Sequence, residues 1–383
     1  MCAAPAGAVT ITIRNTDTGV IGFNDPSPRA PVGGNPGTTL GAQRLFLFQY
    51  AAKVWGTRLA GTVPIIVSAG FADLGGTATL ATLGQASPTT IHRDFLHAPV
   101  PSTWFVAALA NQIYGSDQND LSPGSCPVAL VSGACPEIRA QFNYRVDDPV
   151  VLGSINFYYG LDGKNGSDID FLTVLLHEFA HGLGFVSLID NTTGELFFGY
   201  SDAFTNKMID SIISPKQVPA MSNAQRLQAI VDNQHLLSAG ANVTAGSGGL
   251  SAGKDFAGHV MLFAPTTYIV GSSVSHYDTS VFPNELMEPY YTNPPPRNLA
   301  LTIALLKDLG WTPLHVAACG DPTDDGKTTA SDALLVLKGA VGSADCPDSA
   351  CNVNFTGGVT ASDALIVLKF AVGQSQTLSC PLA

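Results

Sequence analysis

Residues 177–187 read HEFAHGLGFVS. His177 and His181 stand four apart, and on an α-helix that spacing puts both imidazoles on one face. Two such imidazoles can hold one zinc ion at about 2.0–2.1 Å. Glu178 is offset beside them, within reach of water at the metal but not placed to ligate it. The chemistry this trio supports is hydrolysis: the cation acidifies water, and Glu178 accepts the proton as general base. With eight histidines in 383 residues, an H-E-x-x-H run arises by chance about 0.002 times per chain. The bland reading, a histidine pair on an ordinary amphipathic helix, is therefore the weaker one.

Several elements must position these residues. Ser167 is the expected N-cap, with Asp168 and Asp170 favouring the positive end of the helix. Leu172, Leu175, Leu176, Phe179 and Leu183 recur at helical spacing and should face a core. Gly184 should end the helix just past the second histidine and turn the chain. Upstream, AVTITIRN reads as a strand and AQRLFLFQYAAKVWGTRLA as a helix with Leu45, Phe48, Ala52 and Trp55 near one face. VPIIVSAGF then reads as a short buried strand, completing an α/β-like strand–helix–strand unit, and VLGSINFYYG as a further strand.

Hydrophobic residues make up 45% and charged residues 13%, which suits a folded chain with long ordered loops. The net charge of -12 argues against nucleic acid and anionic membranes as partners and is compatible with divalent cations. No apolar run is long enough to span a membrane. Cys126 and Cys135 bracket one short loop, while Cys319, Cys346, Cys351 and Cys380 bracket the C-terminal segment. None forms C-x-x-C, so disulfides within each group, in a secreted or cell-surface protein, are expected. Cys2 reads as a spare thiol, and MCAAPAGAV shows no signal peptide, as in a mature or truncated start.

HEFAHGLG resembles the metzincin pattern H-E-x-x-H-x-x-G-x-x-H, with Ser187 where the last histidine belongs. Six other histidines are present: His92, His97, His259, His276, His315 and His235, the last of which reads as part of a helical polar stretch. His276 stands in SVSHYDTS, and Met287, eleven residues on, in ELMEP. Together with YYGLDG…DIDFLTVLLHEFAHGLGF and LTIALLKDLGW, these segments resemble bacterial leishmanolysin-like metzincins over most of residues 1–311. The resemblance implies zinc ligands His177, His181 and His276, Glu178 as base, Met287 as the methionine turn, and an insertion over about 188–275. His259 is the runner-up third ligand, with Glu195, Glu285 and Glu288 behind it. The astacin-type tyrosine two residues after the methionine is absent, with Pro289 in its place, and the neighbouring Tyr290 is left unassigned.

The tail holds a repeat. Residues 319–342 and 351–373 share TASDAL(L/I)VLK. In the first copy Asp321, Thr323, Asp325 and Asp332 stand at positions 1, 3, 5 and 12 of a calcium loop, with Gly326 at 6. In the second, Asn352, Asn354, Thr356 and Asp363 do, with Gly357 at 6. Three carboxylates against one predict stronger Ca²⁺ binding in the first loop. The paired loops resemble a dockerin type I module, which implies a cohesin-like protein partner chosen in part by Ala330, Ser331, Ala361 and Ser362. The flanking cysteines depart from that family. A disulfide-stapled helical hairpin without metal is the alternative.

The expected architecture is α+β. A metzincin-type domain over 1–315 has a twisted mixed sheet, an active-site helix and a C-terminal helix. A small all-α calcium-loop module follows over 319–383. The expected activity is zinc-dependent cleavage of a protein or peptide substrate. The rivals are a non-catalytic zinc-containing binding or adhesion protein, and a zinc hydrolase of a non-peptide amide or ester.

Overall fold

The computed structural model describes residues 7–119, 135–354, 358–378 and 380. The fold is mixed α+β. The first part runs β1 (Ile11–Asn15), α1 (Leu40–Arg58), β2 (Ile65–Ala72), β3 (Gly84–Pro88), β4 (Ile91–His92), β5 (Thr103–Val106), α2 (Ala107–Tyr114) and β6 (Ile138–Asn143). Next come β7 (Phe157–Tyr158), β8 (Ile169–Asp170) and α3 (Phe171–Leu183). Residues 188–275 supply β9 (Ser201–Asp202), β10 (Met208–Asp210), β11 (Ser214–Gln217), α4 (Asn223–Ala229), β12 (Leu236–Ser238), α5 (Ala241–Gly246) and β13 (Val260–Met261). The chain closes with α6 (Ala300–Leu309), α7 (Ala330–Ala340), α8 (Asp348–Cys351) and α9 (Ala361–Ala371).

The sheet beside the motif helix has the order β1-β2-β6-β3. β1, β2 and β6 are parallel, whereas β3 runs antiparallel to β6 at the edge. β2 reads IIVSAGFA and is buried almost throughout, as a central parallel strand must be. β3, GQASP, is half exposed and ends in Pro88, a residue confined to edges because it donates no ladder hydrogen bond. α1 packs against α3 and β1, and α3 against β3 and β6. α3 is buried almost all round, which its near-continuous apolar sequence requires. Phe48, Phe142, Phe157 and Tyr159 ring the first residue of the helix, Phe171, with centroids 4.6–5.8 Å away.

Three expectations are corrected. The N-cap of α3 is Asp170, whose carboxylate accepts the Thr173 amide at 2.9 Å; Ser167 sits in an exposed turn before it. Of residues 151–160 only Phe157 and Tyr158 form a strand; Val151 and Tyr159 are buried from loops, so burial and not a ladder set that apolar run. His235 lies in a turn before β12, not in a helix.

Residues 188–275 do not fold apart. Their antiparallel sheet, β11-β10-β12-β13, places Met208, Leu236 and Val260 in the same apolar core as α1, α3 and α6. The C-terminal helices enclose a second, smaller cluster of Ala333, Val336, Ala350, Cys351, Val353, Ala364 and Val367. Disulfides Cys319–Cys380 and Cys346–Cys351 staple it. Cys135 is also disulfide-bonded; Cys126, its expected partner, lies outside the described residues. Among the described residues no helix is long and apolar enough to cross a membrane.

Candidate metal centre

α3 carries His177 and His181 toward one point, and the rest of the chain fixes how they face it. The helix is held along its length: Trp55 Nε1 donates to the Leu176 carbonyl at 3.2 Å and Trp311 Nε1 to that of Leu183 at 2.9 Å. Gly184 stops it with φ of +130°, a conformation that strains any residue with a Cβ. Its amide bonds back to Ala180 and His181, and the turn it makes brings the Phe185 carbonyl under the His181 ring.

The third imidazole is His276. The three Nε2 atoms lie 3.1, 3.1 and 3.2 Å apart. Each ring is oriented from behind: His177 Nδ1 bonds the Leu286 carbonyl, His181 Nδ1 that of Phe185 and His276 Nδ1 that of Ser272, all at 2.7 Å. A carbonyl only accepts, so every Nδ1 carries the proton and every Nε2 presents a bare lone pair. Three lone pairs this close have no proton to share, and the donor set suits a cation. Nitrogens with this spacing can all lie about 2.0–2.1 Å from one ion and leave a fourth position open. Burial keeps the rings neutral: it pushes His177 down to about 4, His181 to about 3 and His276 well below the usual imidazole value.

Glu178 is also buried, beneath the edge strand. A Cβ at Gly84 would lie 3.1 Å from Glu178 Cγ and 2.8 Å from the Phe142 ring, so β3 passes this close only as glycine. Burial raises the Glu178 carboxyl to about 8, and a hydrogen bond from the Ala86 amide opposes the shift. A cation on the adjacent imidazoles would favour the ionised form further. Met287 is fully buried, and its carbonyl accepts the Tyr277 amide at 2.8 Å. The carbonyl one residue before it is the one that orients His177.

The other candidates lie elsewhere. His259 pairs with Asp255 at 2.8 Å. His92, His235 and His315 bond Asn119, Ser211 and Asp324. Among the described residues, only two groups of three or more His, Cys, Asp or Glu side chains converge closely enough for a metal. One is His177, His181 and His276; Glu195, Glu285 and Glu288 join neither.

The second group is Asp321, Asp325 and Asp332 in the first C-terminal loop. Asp321 accepts the amides of Asp325 and Gly326, at 3.2 and 2.9 Å, which wraps the loop around its carboxylate. The Thr323 hydroxyl donates to buried Asp332 at 2.7 Å. In the second loop Asn352 is buried with Oδ1 lacking a donor, and the Asn354 amide bonds Asp363 at 3.2 Å. Thr356 and Gly357 lie outside the described residues.

Sequence reasoning missed the backbone groups: the carbonyls of Ser272, Leu286 and Phe185, and the Ala86 amide. Main-chain atoms are the same at every residue, so no side-chain pattern marks them. Gly184 marks a turn beside His181, but not which backbone atom that turn brings to its ring.

No protein-family profile matches this chain, and no curated protein matches it significantly.

Proposed function

We propose that this chain is a zinc-dependent endopeptidase of the leishmanolysin-like metzincin type, with a dockerin-like calcium-binding module at its C-terminal end. One observation carries the reading: three buried imidazoles, each made a lone-pair donor by a carbonyl behind it, converge beside a buried glutamate. Zinc bound there supplies Lewis acidity, which makes water acidic and a scissile carbonyl electrophilic.

The chain's own residues do the rest. Glu178 takes the proton of the attacking water and delivers it to the leaving amine. The Ala86 amide holds that carboxylate in place. The edge of β3, unpaired among the described strands, runs past Glu178 and accepts an extended peptide by strand addition. A purely structural zinc site is closed by four protein ligands. The three histidines here, with Glu178 poised beside them, favour a catalytic one. Asp321, Asp325 and Asp332 would hold Ca²⁺, with Thr323 as a further oxygen. Exposed Leu334, Leu337, Leu365 and Leu368, at matching positions of α7 and α9, offer a cohesin-like partner a duplicated apolar face. The disulfides fit an extracellular setting.

The test is a peptide-library digest by zinc-loaded wild type and Glu178→Gln. Wild type cleaves peptides, and the variant keeps zinc but loses cleavage by at least 100-fold. Equal cleavage by both removes the mechanism. Hydrolysis of small esters or amides without any peptide cleavage would transfer the site to a non-peptide hydrolase.

A further inference from the structure

The three imidazoles are not oriented alike. His181 takes its carbonyl from Phe185 and His276 from Ser272, each four residues away. These two rings are set by their own local chain. His177 takes its carbonyl from Leu286, 109 residues on. Its direction therefore depends on how α3 sits against the segment that begins at Leu286 and Met287.

That segment returns to α3 before entering α6. The Tyr291 hydroxyl accepts the backbone N–H of Asp170 at 2.9 Å and Asn165 Nδ2 at 3.3 Å. Arg297 donates to the Leu161 carbonyl at 2.6 Å and, from its other terminal nitrogen, to the Asp170 carboxylate. Asn293 Nδ2 donates to the Gly166 carbonyl at 2.6 Å. Asp170 is fully buried and caps α3 with its remaining oxygen. Residues 286–297 thus grip α3 twice: at its N-cap, and at His177, about two turns and roughly 10 Å along the helix.

We infer that Tyr291 and Arg297 are positioning residues of the metal centre. By locking the N-cap of α3 to the strand of chain that carries Leu286, they fix the register in which His177 meets its carbonyl, and with it the aim of His177 Nε2. The inference rests on the zinc reading above. Arg297 suits the task because its planar fork serves a carboxylate and a carbonyl from two fixed nitrogens, whereas a lysine offers a single rotatable ammonium. Tyr291 suits it because a hydroxyl that accepts the Asp170 amide leaves that buried donor satisfied.

The test uses the full chain, loaded with zinc or with cobalt as a coloured substitute. Zinc affinity is measured by chelator competition, and cobalt geometry by visible absorption. The variants are Tyr291→Phe, Arg297→Met and Arg297→Lys. Leu47→Ala, at a fully buried apolar position of α1 that makes none of the strap's hydrogen bonds, serves as a control that loses stability. Tyr291→Phe and Arg297→Met should weaken zinc binding on the order of tenfold and alter the cobalt bands. Arg297→Lys should recover part of both, and Leu47→Ala should lower the melting temperature with affinity and bands unchanged. Tyr291→Phe removes a single hydroxyl and carries the test if Arg297→Met does not fold. Wild-type affinity and bands in Tyr291→Phe would reduce the strap to a structural brace. A wild-type chain that takes up neither metal at the histidines would instead overturn the zinc reading itself.

Discussion

At the scale of single residues, what matters is where each proton sits. Imidazoles with Nε2 atoms 3.1–3.2 Å apart repel as lone pairs and would repel more if protonated, so their convergence costs energy that a bound cation repays. Each Nδ1–H···O=C bond fixes a tautomer and also raises the basicity of the nitrogen opposite. Removing one of three nitrogens leaves too few bonds to retain the ion. His276→Ala should therefore lose zinc affinity by several kcal/mol, and with it the proposed peptidase activity. His259→Ala, whose ring is occupied by Asp255, should keep both. Metal content after dialysis, with chelator competition, checks the pair; zinc retained by His276→Ala would move the third ligand elsewhere.

At the scale of elements, helix α3 and the sheet act as one frame. β6 and β2 are joined beyond their ladder through Glu137, just before β6. Its carboxylate accepts the Ile66 amide at 2.7 Å and the side-chain amides of Asn111 and Asn119 at 3.1 and 3.2 Å. Burial pushes Glu137 up to about 7, and nearby Asp117 adds to the rise. In the unfolded chain the group titrates near 4.5. Between those values the folded chain binds more protons than the unfolded one, so stability is full below pH 4.5 and falls as pH rises through about 7. The swing is on the order of 3 kcal/mol. Urea unfolding across this window should show the decline in wild type. Glu137→Gln, which cannot ionise, should flatten that part of the slope, although it forfeits one of the donors' acceptors. A variant that declines as steeply as wild type would assign the slope to another group.

At the scale of the molecule, two separate apolar cores divide the work. The larger one takes in apolar residues of α1, the sheet, α3, α6 and residues 188–275, including Met208, Leu236 and Val260; the smaller one is formed by the C-terminal segment. They are linked at the surface, where Lys53 of α1 pairs with Asp348 of α8 at 3.5 Å. An exposed pair of that kind contributes little. The two metal groups should accordingly behave independently. In the full chain, Asp332→Ala removes a buried carboxylate from the first loop. It should abolish the tighter of the two proposed calcium-binding events in calorimetry while leaving the proposed peptidase turnover within about twofold, since sites without shared partners are nearly additive. Loss of turnover along with calcium would show that the cores are coupled.

Much of this is local and was therefore readable in one dimension. His177 and His181 share a face because helix periodicity acts over four residues, and Gly184 ends the helix because a positive φ is a property of one residue. The calcium-loop spacing and its repetition are local in the same sense. The helix cap was misplaced by three residues because Ser167 and Asp170 are both competent N-caps, and the choice fell to Asp170 through burial and its bonds to Tyr291 and Arg297. The sequence by itself determined the pair of imidazoles, the carboxylate beside them and the repeated acidic loops. Tertiary structure decided that His276, 95 residues past His181, completes the group, that a carbonyl stands behind each ring, and that Gly84 presses an edge strand onto Glu178. Those features depend on residues far apart being packed into one apolar core, and no spacing along the chain records which distant backbone atoms that packing brings together.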